Sequence, residues 1–264
     1  MKTLFNSSKR ILTCGIIGLV SLSSLLAAKE AATPTEATKA EKPLDEIIKL
    51  PGIEIDAVKG IVDVASQVSL TDGLLELIAC TEGTKEHEAI IRINALPMHV
   101  HTALLLIGAR NGNPAMRKPI NEEKTRWMHF PPSGDPIEVF LVTKKEGGHS
   151  VERPISDFIR KAEGDPYMPD YGLDTREDDD DKTEEKFPNV FAFTGSHLVD
   201  GKDGKRQYIA DNSGHVITIS TFGDELLGLP DFQSRENGEL VWEVDPTYLP
   251  ELDSEITLRL KPKR

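Results

Sequence analysis

From Ile53 onward, apolar residues return at every second position far more often than at helical spacing. Ile53, Ile55 and Ala57 alternate with Glu54 and Asp56, and residues 61–65 resume after a Lys59-Gly60 turn. A period of two gives a strand one apolar and one polar face, so the two runs are expected to form a hairpin. Residues 74–80 and 88–94 make a second strand pair, joined by Thr81-Glu82-Gly83-Thr84-Lys85. Further strands are expected at 137–143, 189–193, 207–210, 216–220, 240–244 and 256–260. Helical signals are few: 44–50, stopped by Pro51-Gly52; 102–110, rich in leucine; one short turn at 155–161 after Pro154; and 223–229. Strands and helices do not alternate regularly. This predicts one α+β domain over residues 44–264, mainly an antiparallel β-sheet with a few short helices.

Ahead of that domain the chain changes character. Lys2, Lys9 and Arg10 precede an uncharged, largely apolar run over 11–26, and Ala27-Ala28 supplies small residues where a cleavage site belongs. Residues 1–28 therefore read as a secretory signal, which predicts an exported, periplasmic or secreted protein. Leu26 stands where a small residue is usual before such a cut. The alternative is a retained N-terminal segment that anchors the chain to the membrane. Residues 29–43 are Ala, Thr, Glu, Lys and Pro with no large apolar side chain, which is the composition of a flexible linker.

Charge and cysteine content exclude whole classes of function. The formal net charge of −13 becomes three units more negative once Lys2, Lys9 and Arg10 are removed. Such a surface repels phosphate backbones, so nucleic acid is not an expected partner. Acidity peaks in Glu177-Asp178-Asp179-Asp180-Asp181, inside a stretch over about 163–187 with no fold pattern. That stretch is expected to be a disordered surface insertion, because it lacks the alternating ligands and central glycine of a calcium loop. Past residue 28 the single cysteine is Cys80. One thiol builds no intramolecular disulfide, four-thiolate zinc site or ordinary iron–sulfur cluster. Its place in an apolar run predicts a buried, inert thiol.

No catalytic motif is recognisable. Gly108-Ala109-Arg110-Asn111-Gly112 is no phosphate loop, and Gly195-Ser196-His197 lacks the second glycine of a nucleophile elbow. His87-Glu88-Ala89-Ile90-Ile91 has Ile where a zincin helix needs its second His. The histidines still allow a metal reading. If His99 and His101 lie on extended backbone they share a face, whereas on a helix they diverge by about 200°. With His87 in reach, imidazoles and Glu88 would make an open site for Zn²⁺ or Cu²⁺.

The string Thr84-Lys85-Glu86-His87-Glu88, followed by His101-Thr102-Ala103-Leu104-Leu105, Gly108 and Pro114, resembles the YdjY-like domain family of exported bacterial proteins. Phe191-Ala192-Phe193-Thr194-Gly195-Ser196, the turn at 200–205, Tyr208, Asp211 and Gly228-Leu229-Pro230 extend the resemblance over roughly 51–262. The family has no established activity, so the resemblance implies an exported domain that binds a protein or envelope partner. It also draws attention to His87, Glu88 and His101 as the positions of its motif, the metal ligands of the alternative reading. His99 falls outside the motif.

Overall fold

The computed structural model describes residues 47–145, 147–162, 186–201, 204–234 and 240–264. Its strands are β1 (Ile48–Leu50), β2 (Ile53–Asp56), β3 (Ile61–Val68), β4 (Leu77–Thr81) and β5 (Ala89–Ile93). After helix α1 (Pro97–Leu106) come β6 (Met116–Pro119), β7 (Trp127–Phe130), β8 (Pro136–Lys144), β9 (Ser150–Pro154) and β10 (Ile159–Lys161). Next are β11 (Val190–Phe193), β12 (Leu198–Asp200), β13 (Arg206–Tyr208) and helix α2 (Ile209–Ser213). The chain closes with β14 (His215–Thr218), β15 (Leu227–Gly228), β16 (Trp242–Val244) and β17 (Glu255–Pro262).

The α+β expectation is overturned: eight strands close into a β-barrel. Neighbours run β3, β17, β8, β11, β15, β14, β4, β5, and β5 returns to β3. Closure depends on the length of β3. Its first half pairs with β2, from Ile61↔Asp56 to Val64↔Ile53, and its second half pairs with β5, from Ser66↔Ile93 to Val68↔Ile91. Period two reveals which side chains of a strand share a face. It carries no information about which strands become neighbours, so closure is invisible to it.

The inward faces fill the barrel. Val62, Val64 and Val68 of β3 meet Leu258 and Leu260 of β17, Val139 and Leu141 of β8, and Phe191 and Phe193 of β11, all fully buried. Each such side chain contributes about 1.5–3 kcal/mol relative to exposure. Helix α1 packs against β2, β3 and α2 through Val100, Ala103 and Leu104. Pro97 opens it at a position where no amide donor is needed.

Local expectations met mixed outcomes. Residues 48–50 are strand β1 rather than helix, and 223–229 form a buried loop with the short β15 instead of a helix. Residues 155–161 split into a short 3₁₀ turn and β10. β4 and β5 pair, but in parallel, with Leu77 opposite Ala89 and Thr81 opposite Ile93. The ribbon β6–β7 had no period-two signal and was not expected. Its root is clamped to β11: Gly112 N donates to Phe193 O (2.8 Å), and Asn113 and Ser133 exchange backbone bonds. Gly134 has φ +143°, and a methyl group there would overlap the Phe193 carbonyl, so this crossing requires glycine.

The expected signal (1–28), linker (29–43) and most of the acidic insertion lie outside the described residues. Phe187, placed in that insertion by its sequence, is instead buried and stacks edge-on against Trp242 at 5.0 Å. Among the described residues no helix is long and apolar enough to cross a membrane.

Candidate functional site

The parallel pairing of β4 with β5 determines what the Lys85–Glu88 string does. With Leu77 opposite Ala89, the residues just before them, Glu76 and Glu88, fall side by side, and Glu76 N donates to Glu88 O at 3.2 Å. Two neighbouring carboxylates repel each other, and Glu76 is only 6 % exposed. Lys85, on the short connection between the strands, answers both: its Nζ lies 2.7 Å from Glu88 and 3.5 Å from Glu76. Burial and the charge of Glu88 push the Glu76 carboxyl above its ordinary range. Burial also acts upward on Glu88, but hydrogen bonding and charge from Lys85 hold that carboxyl below it. The environments of the two carboxyls thus push them apart, Glu76 upward and Glu88 downward.

Phe222 joins this cluster to a second one. Lys85 Nζ sits 5.1 Å from the centre of its ring, and the other stacking partner is His215, with centroids 4.1 Å apart and planes at 28°. His215 Nδ1 lies 2.6 Å from Asp224 Oδ1. Despite its burial, hydrogen bonding to His215 holds Asp224 below the usual carboxylate range. The loop that carries Phe222 is fixed from within. The buried Glu225 carboxylate accepts the backbone amides of Gly223 (2.7 Å) and Asp224 (3.0 Å). Beneath Phe222 lie Leu77, Cys80 and Ala89, so Cys80 is buried as expected, and burial pushes its thiol upward.

Phe222 also lines a cleft of about 480 Å³ between the root of the β6–β7 ribbon and the 221–234 loop. Its other walls include Met116, Arg117, His129, Phe130 and Phe232. Three phenylalanines and a methionine, with Arg117, His129, Thr221 and Ser234 as polar side chains, suit an apolar or aromatic ligand that carries polar groups. A hollow of equal volume lies outside β3 and β17. Of its two lining cations, Arg92 and Lys144, the former is already bonded to Asp253 (2.7 Å) and Gln67 (2.8 Å).

The three motif residues do not converge. His87 Nε2 stands 3.3 Å from Glu88 Oε1, with the imidazole exposed. His101 is elsewhere, on α1: its Nδ1 is 2.9 Å from the Tyr208 hydroxyl, which donates to Gly195 O at 2.9 Å. Because Tyr208 spends its proton on that carbonyl, His101 donates from Nδ1. Burial holds its ionisation below the ordinary histidine value. The His101 ring also meets Phe193 edge-on at 4.9 Å. His99 is on the same helix, so the two imidazoles diverge. Among the described residues, no three His, Cys, Asp or Glu side chains are grouped to hold a metal.

Sequence reasoning missed Glu76, Phe222, His215 and Asp224. Glu76 had a usable signal, as the one charge in the apolar run Leu74-Leu75-Glu76-Leu77-Ile78-Ala79-Cys80. The others had none, since they reach the site only through the pairing of β14 with β4, His215 opposite Cys80.

No curated protein and no solved structure matches the chain. The YdjY domain model does, over residues 53–261, a span that holds the barrel, the Lys85–Glu88 string and the Phe222 loop. The chain therefore belongs to the YdjY domain family, whose function is uncharacterised.

Proposed function

We propose that this is an exported, non-catalytic binding domain whose ligand site is the aromatic cleft beside Phe222. The observation that carries this reading is the shared use of Phe222, which lines the cleft and covers the Lys85 and His215 clusters. Export is supported by the basic-then-apolar pattern of residues 1–28. A protein or envelope component with an apolar, aromatic moiety is the partner class that suits such walls. Nucleic acid does not suit a chain of net charge −13.

The test uses 1-anilinonaphthalene-8-sulfonate, an aromatic anion that fluoresces in apolar clefts. Saturable enhancement is expected, weakened about tenfold by Phe232→Ser, from the transfer free energy of one ring. Phe232 is 63 % exposed, so the variant folds normally. Enhancement that does not saturate, or that ignores the substitution, refutes the cleft as the site.

A second reading, metal binding, keeps one supporting observation: the close pair His87–Glu88 on an exposed rim. His101 would have to leave Tyr208 to join it. Elemental analysis of the purified protein beside His87→Ala decides. Equal zinc and copper content near zero in both removes this reading.

A further inference from the structure

The ribbon β6–β7 belongs to no other sheet, and its two strands pair only with each other, Met116 opposite Phe130 through to Pro119 opposite Trp127. Alternation places Trp127 on one face and Met128 on the other. Both are exposed, at 38 % and 50 %, and Ile120 beside the turn is 47 % exposed. A two-stranded ribbon with large apolar groups exposed on both faces gains little stability from itself in water.

Cations stand among these groups. The Arg117 guanidinium lies 4.8 Å from the Trp127 ring centre, and Lys118 Nζ lies 5.4 Å from that of Phe130. Lys124 and Arg126 are at the turn, with the carboxylates Glu122 and Glu123 opposing them. The ribbon is thus locally basic on a chain of net charge −13. That overall charge repels an anionic surface, and a locally basic ribbon favours an approach with the ribbon foremost.

A protein partner covers one face of a ribbon and leaves the other wet. Apolar side chains on both faces suit immersion in a fluid medium, with aromatic rings at the boundary and long cationic side chains reaching back to phosphates. We propose that the β6–β7 ribbon docks on an anionic phospholipid surface, with Trp127 and Met128 entering the headgroup boundary and Arg117, Lys118, Lys124 and Arg126 meeting lipid phosphates.

The chain holds two tryptophans, which makes the test direct. Trp242 is 6 % exposed and packed on Phe187, so it is a silent internal control. The full chain is mixed with vesicles of brominated phosphatidylcholine, with and without phosphatidylglycerol, and tryptophan emission is recorded. Expected are a blue shift and quenching on the phosphatidylglycerol vesicles, fading with added salt. Lys118→Glu with Arg126→Glu should weaken the response by about tenfold or more, at roughly 1 kcal/mol for each cation near the surface. Trp127→Phe should abolish it. Quenching that survives Trp127→Phe overturns the proposal. So does unquenched Trp127 on vesicles of either composition, even if the chain sediments with them through residues 11–26, and the ribbon is then a protein-docking element.

Discussion

Glu76 sits between Leu75 and Leu77, both sealed from solvent, where an ionised carboxylate is costly. Its carboxyl is raised in the folded state by burial and by Glu88. A group of this kind stabilises the fold below its unfolded pKa, and that contribution is lost as pH rises through the folded value. Glu76→Gln fixes the neutral form. The melting temperature of the variant should therefore gain on that of the parent as pH rises from the acid range to neutral, as read by a thermal series in matched buffers. The opposite trend would mean that Glu76 is ionised and held by Lys85. His101 teaches a different lesson at this scale. Its motif position suggested a ligand, yet its ring nitrogen is committed to Tyr208 and its edge to Phe193. To act as a ligand it would have to give up the Tyr208 contact.

Among the elements, the ribbon root is the place where backbone geometry leaves least choice. Gly134→Ala puts a methyl group into the Phe193 carbonyl at φ +143°, so it should cost at least about 2–3 kcal/mol in urea titration, where Ala115→Ser, nearby, should cost little. What was legible in the sequence divides along the same line. Strands with one wet face announced themselves, as in β3, where Val62, Val64 and Val68 alternate with Asp63 and Gln67. The 102–110 helix was also read correctly in kind, but it starts at Pro97, because proline at a first helical position looks like a breaker until the helix is seen. Two elements were unreadable for physical reasons. The 223–229 segment looked helical because Leu226, Leu227 and Leu229 are apolar, but they are buried through the pairing of β15 with β11 and β14. The ribbon keeps its apolar groups on both faces, so it lacks the alternation by which strands are recognised.

For the whole molecule, the barrel makes stability collective. Leu258 on β17 is fully buried between β3 and β8. Leu258→Ala should cost about 2–5 kcal/mol. Because both neighbouring seams pass through that strand, Trp242 emission and far-ultraviolet circular dichroism should still unfold together in a single transition. Two transitions would show that the halves of the barrel are independent. The position of β17 also bears on timing. Last in order among the described strands, it is inserted between an early strand and a middle one, Glu255 opposite Gln67 and Thr257 opposite Val142. Until it arrives, β3 and β8 each present a raw edge and the barrel is a split cylinder. Closure of the barrel therefore waits for β17, and until that strand is in place the open edges depend on protection from aggregation.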